Sequence, residues 1–145
     1  MSKQTYKSNL KIISIKGDGY HCVINCRINK EFKTRMLLDT GASRTILDLQ
    51  FINELGLTEH LKETEEKATG LGTNSMQGHR MILPELKIGK LVLKNIEVGI
   101  LDLSMVNTSY KMIGLPPIRG AIGGELLKEL KAVISYKDKK IYFEK

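Results

Sequence analysis

Residues 36–46, MLLDTGASRTI, place a single carboxylate directly after three apolar residues and directly before Thr40-Gly41-Ala42-Ser43. An aspartate at the end of an apolar strand faces desolvation, which disfavours its charged form unless neighbours share or hydrogen-bond the charge. The residues that follow can do this. Gly41 lets the backbone turn sharply and approach closely, and Thr40 and Ser43 carry hydroxyl donors. Alone, Asp-Thr-Gly reads better as an Asx-type turn in which Asp39 caps its own loop amides, because the tripeptide is short and turns are common.

Outward from this loop, short runs rich in Ile, Val and Leu recur at 10–16, 21–28, 32–38, 91–100, 132–136 and 140–143, separated by Gly, Asp, Asn and Lys turns. This spacing predicts a mostly β domain closed on itself. Two stretches switch to helical spacing. DLQFINELG carries Leu49, Ile52 and Leu55 on one face, with Asp48 as N-cap and Gly56 as stop, and GELLKELK aligns Leu126, Leu127 and Leu130. Gly70, Gly72 and Gly78 around Thr73, Asn74 and Ser75 predict the tip of a hairpin. GLPPIRG, 114–120, carries two prolines that exclude regular strand and is expected as a loop near the mouth of the site.

At 145 residues the chain makes one domain, 1–145, with 41% hydrophobic and 27% charged residues and no low-complexity tract. The start lacks an apolar h-region and no run reaches the ~20 apolar residues of a membrane span, so a cytoplasmic protein without membrane contact is expected. Cys22 and Cys26 share one strand face, roughly 13 Å apart by strand rise, too far for a disulfide. They read as buried thiols, and His21, His60 and His79 show no ligand spacing with them, so no metal is expected. The net charge of +7 is scattered along the chain without interleaved aromatics, which argues for a solvated surface and against nucleic-acid binding. GLGTNS has Ser75 in place of the third glycine of a dinucleotide loop, and no Gly-x-Ser-x-Gly occurs. A thiol–histidine pair from Cys22 or Cys26 with His79 is disfavoured by strand burial.

Two apolar residues, Asp39-Thr40-Gly41-Ala42-Ser43, a strand and a helix resemble the retropepsin-like aspartic proteases. AIGGELLKEL, 121–130, resembles that family's second signature, and the Gly-rich segment lies where the family keeps its flap. The resemblance covers roughly residues 20–143. It implies a closed acid-protease β-barrel with two short helices and a flap hairpin. It also implies an aspartic endopeptidase without metal or organic cofactor, acting on peptide or protein substrates, with one active site on the two-fold axis of a homodimer.

By the same resemblance Asp39 is catalytic, Thr40 hydrogen-bonds across to the partner loop, Gly41 and Ala42 support the loop, and Ser43 donates to the outer oxygen of Asp39. Gly70, Leu71, Gly72, Thr73, Asn74 and Ser75 form the flap, and Ile122 and Gly123 pack behind the catalytic loop. Ile46, Leu71, Met76 and Leu115 are candidate pocket residues or ordinary core. Viral members often pair an arginine after the second-signature glycine with an acid after the first loop; Gly124 and Ser43 stand there instead. The C-terminal hairpin, AVISYKDKKIYF, favours the cellular and bacterial branches. A non-catalytic peptide-binding module of the same fold is the alternative.

Overall fold

The computed structural model describes residues 3–60, 62–67 and 77–145. The expected flap residues 70–75 lie outside the described residues, as do Leu71 and Met76 among the candidate pocket residues.

Eleven strands occur among the described residues. β1 (Thr5–Asn9) and β2 (Lys11–Ser14) lead into β3 (Tyr20–Ile28), β4 (Phe32–Leu38) and β5 (Ile46–Asp48), and then into helix α1 (Leu49–Glu54). β6 (Lys62–Lys67), β7 (Gln77–Ile88) and β8 (Leu91–Leu101) are followed by helix α2 (Ser104–Met112). β9 (Gly120–Ile122), helix α3 (Gly124–Glu129), β10 (Val133–Ser135) and β11 (Lys140–Glu144) complete the chain.

The main sheet runs β2-β3-β4-β9-β5-β8-β7-β6, and an added β3–β7 pairing closes six of its strands into a barrel. The alternation read in β3 supplies the interior: Cys22, Ile24, Cys26 and Ile28 point inward against Leu47, Leu83, Leu86 and Val98. Burying this apolar surface is the main stabilising term of the fold. β9 is the strand that matters for the site. It pairs parallel with β4, Leu38 opposite Ile122, and antiparallel with β5, Ile46 opposite Ala121. Gly120 in β9 has no room for a side chain, since a Cβ would lie 2.5 Å from the Ile46 carbonyl oxygen.

The expectation of two helices is corrected to three. α2 escaped the sequence pattern because Tyr110 is its only buried residue, while Met105 and Met112 are solvent-exposed. Tyr110 seals a small outer cluster with Val23 and Ile118, and Asn107 pins the proline segment by bonds to both the N–H and C=O of Ile118. β7 was also hidden: Pro84 sits at an exposed position, where the register passes from Leu83↔Ile96 to Glu85↔Lys94 with Asn95 at φ +53°. Losing a donor there costs no ladder bond to the core.

The C-terminal hairpin forms as expected, Val133 opposite Tyr142, and β1 joins it on the other side of β11 from Thr5↔Glu144 to Asn9↔Lys140. The N- and C-terminal strands therefore pair within one chain. No helix among the described residues is long and apolar enough to cross a membrane.

Candidate active site

Asp39 follows the last residue of β4, and its backbone N–H donates to the Ile122 carbonyl at 3.0 Å, continuing the β4–β9 ladder by one bond. The chain then turns: Ala42 N–H donates to the Asp39 carbonyl at 3.1 Å, and the Gly41 N–H donates to Asp39 Oδ1, also at 3.1 Å. This fixes one carboxylate oxygen and leaves the other without a hydrogen bond among the described residues, and Asp39 lines an open cavity of about 540 Å³ with Leu38, Thr40, Ile134 and the exposed Tyr20 and Tyr136. Asp39 itself is partly exposed, and Thr40, Gly41 and Ser43 are exposed. Ser43 makes no hydrogen bond to Asp39 among the described residues; the oxygen it was expected to serve is open.

Ile122 and Gly123 lie directly behind the loop. A Cβ on Gly123 would fall 2.6 Å from the Arg44 carbonyl carbon, so the second signature needs glycine for close backbone approach. Gly124 N–H donates to the Ala42 carbonyl at 2.7 Å, tying the start of α3 to the loop.

Sequence reasoning missed the group that braces this junction. Thr45, fully buried, donates from Oγ1 to Glu125 Oε1 at 2.9 Å and accepts from Gly123 N–H at 3.0 Å, while its backbone N–H donates to Glu125 Oε2 at 2.7 Å. Every polar atom at the junction is satisfied inside one chain, as a buried polar cluster must be. The signal was present: an acid directly after a Gly-Gly pair, and a threonine six residues after Asp39.

The remaining residues singled out by the sequence fall elsewhere. Leu115 packs on the outer cluster of Val23, Tyr110 and Ile118 and belongs to core, and Ile46 lies in β5 against Gly99. GLPPIRG carries Arg119, whose guanidinium lies 3.8 Å from buried Asp48, 3.4 Å from Glu54 and over the Phe51 ring. Asp48 holds the N-cap position of α1 without capping it, because its Oδ1 accepts from Leu103 N–H at 3.0 Å.

His21 Nδ1 meets the Tyr110 hydroxyl at 2.6 Å, and burial raises the pKa of that phenol. Cys22 and Cys26 are free and buried, and burial pushes the Cys26 thiol up to about 12, which makes it a poor nucleophile at neutral pH. No group of three metal-ligating side chains occurs among the described residues.

Among solved structures, a retropepsin-like aspartic protease from Rickettsia conorii is 25% identical over 99% of this chain and 93% of its own, with a TM-score of 0.61. The retroviral protease-like domain of Ddi1 from Leishmania major is 14% identical over 79% of this chain and 81% of its own, with a TM-score of 0.53, a likeness of fold alone. No curated protein matches the sequence. The family model described as aspartyl protease matches residues 24–126, well over half of the chain and inclusive of both the Asp39 loop and the Ile122–Gly124 turn. With the closed retropepsin-like barrel around that junction, this establishes that the chain belongs to the aspartyl protease family.

Proposed function

We propose that the protein is an aspartic endopeptidase whose active site is completed by a second copy of the chain. One observation carries this reading: among the described residues, Asp39 is the only carboxylate lining its cavity, with one oxygen held by Gly41 N–H and the other open. Hydrolysis by this chemistry needs two carboxylates on one water, one ionised and one protonated. A two-fold axis beside Asp39 supplies the second from an identical surface. The exposed rings of Tyr20 and Tyr136 at the rim favour such an interface, since large apolar groups clustered on a surface mark contact sites.

In this dimer the ionised Asp39 accepts a proton from the water as its oxygen attacks the peptide carbonyl. The partner's protonated Asp39 donates to the carbonyl oxygen. As the tetrahedral diol collapses, the C–N bond breaks and a carboxyl returns a proton to the leaving nitrogen. Two carboxylates about 3 Å apart hold one proton between them, so activity falls as rising pH removes it. Thr40, exposed at the loop tip, bonds the partner loop, and Gly41 offers its backbone to the substrate. No metal takes part, and chelators should leave the rate unchanged. The free thiols fit a reducing cytoplasm.

The test is incubation of the purified protein and its Asp39→Asn variant with an unstructured peptide library from pH 3 to 8, read by mass spectrometry, alongside sedimentation. Cleavage at acidic pH that disappears in the variant, from a sedimenting dimer, is expected. An intact dimer that cleaves nothing would replace the enzyme by a peptide-binding module.

A further inference from the structure

On the outer face of the barrel, away from Asp39, strand register sets cations against one another. Arg27 in β3 stands opposite Lys33 of β4 on one side and Lys87 of β7 on the other, and Arg35 stands opposite Asn25 one step along the same face. Like charges directly opposite in a sheet repel. A sequence free to vary would be expected to interleave acids here, and it does not.

These side chains line a groove of about 550 Å³, with Asn25 and Gly89 at one end and no acid or aromatic ring among its lining residues. None of the four cations takes part in an ion pair among the described residues, and Arg35 Nε is buried without a hydrogen-bond partner. The neighbouring acids offset the field only in part: Glu85 is held by Lys94 Nζ at 2.5 Å and also attracts Lys87 and Lys30, and Glu31, in the β3–β4 turn, is exposed and forms no ion pair with the cluster. An Arg35 donor left unmet, two guanidinium forks and two ammonium groups around one ligand-sized volume are the elements of an oxyanion site.

We propose that this groove binds a compact, soluble, multivalent oxyanion of the oligophosphate class. Its width, three strands or roughly 10 Å at the usual spacing, suits two or three phosphate groups and is short for a nucleic-acid track. The absence of an aromatic platform gives no place to stack a base. The site does not depend on the protease assignment, because none of its residues contacts the Asp39 loop.

The full chain is to be titrated with sodium tripolyphosphate at constant ionic strength, by calorimetry and thermal melting. Saturating tripolyphosphate should raise the melting temperature by roughly 5 °C through binding the folded state, while matched sodium chloride should not. Arg27→Gln should melt no lower than the parent without ligand, because a repulsion is relieved, yet bind tripolyphosphate at least about 10-fold more weakly. Lys128→Gln, the same charge change at an exposed position of α3, should bind as the parent does. The proposal is overturned if tripolyphosphate gives no shift, if Lys128→Gln weakens binding as much as Arg27→Gln, or if a single-stranded RNA binds more tightly than tripolyphosphate and is insensitive to Arg27→Gln.

Discussion

Two aspartates stand at the ends of two barrel strands that flank β9, and the chain treats them in opposite ways. Asp48 closes β5 and is buried; one oxygen accepts from Leu103 N–H, and the other faces Arg119 at 3.8 Å. Asp39 directly follows β4, is partly exposed, and has a single N–H donor among the described residues of its own chain, from Gly41. Both follow apolar runs, so sequence position alone does not separate them. What separates them is completion. Asp48 has every oxygen answered and can do nothing but hold β5, the start of α2 and the Arg119 segment together. Asp39 has an oxygen left for a reaction.

The largest expected effects should therefore dissociate. Asp39→Asn should lower peptide cleavage by about 10³-fold or more while moving the melting temperature by only ~1–2 °C, since it keeps the Gly41 acceptor. Asp48→Ala should do the reverse in kind. It strands the part-buried Leu103 N–H and takes from Arg119 its buried partner while Glu54 remains, at a cost of about 2 kcal/mol, or several degrees of melting temperature, with activity retained per folded molecule. Melting curves and active-site-normalised rates on the two variants read this directly. If Asp48→Ala lost activity while staying folded, the division between the two acids would fail.

The next effect belongs to the brace behind the loop. Thr45→Val keeps the shape but removes one donor to Glu125 and the acceptor of Gly123 N–H, leaving buried groups unmet. About 1–3 kcal/mol of stability should go, and kcat should drop roughly 10-fold through loop displacement. Thr45→Ser should restore most of both. Equal activity in Thr45→Val would make the brace a stability device only.

The same contrast shows what could be read from sequence. Asp39 was legible because Thr40-Gly41-Ala42-Ser43 is a local signal, and the Ile122–Gly123 turn was legible because glycine before a leucine-rich helix is too. The terminal hairpin announced itself by alternation and a Lys-Asp-Lys turn. Helix α2 did not, because an element with one buried residue leaves almost no periodicity to detect. Nor did β7, where Pro84 argues against strand until its outward position and the Asn95 irregularity opposite are known. The roles of Thr45, Glu125 and Asp48 depend on partners 80, 80 and 55 residues away, and no local pattern encodes such distances. The Asp48 N-cap failed for this reason: the position was right, and a tertiary amide outcompeted the helix for its oxygen.

A buried acid of another kind gives a smaller, pH-dependent effect. Burial lifts the Cys26 thiol from 9.0 to about 12. Its folded pKa lies above the unfolded one, so the neutral thiol's contribution is intact below pH 9. Above that, the unfolded chain releases a proton that the folded chain keeps, and stability falls towards about 1.4 kcal/mol per pH unit. Denaturant melts at pH 8 and pH 10 should show this loss in the parent, and a shallower one in Cys26→Ala after allowing for the cavity. An identical slope in both would assign the alkaline loss to tyrosines and lysines.

The smallest effect comes from an acid that has two cationic partners and is yet exposed. Glu97 Oε1 accepts from Arg44 at 2.9 Å and from Arg80 at 3.1 Å, with all three side chains between 40% and 47% exposed. These bonds link the end of the Asp39 loop to β7, so contact geometry alone would rank Glu97 with Asp48. Solvent decides otherwise: exposed pairs gain little Coulomb energy, and salt screens what they gain. Glu97→Gln should cost about 0.5 kcal/mol at low salt and nothing measurable in 1 M sodium chloride. A cost near that of Asp48→Ala, persisting in salt, would mean that the number of partners, rather than burial, sets what an acid is worth in this barrel.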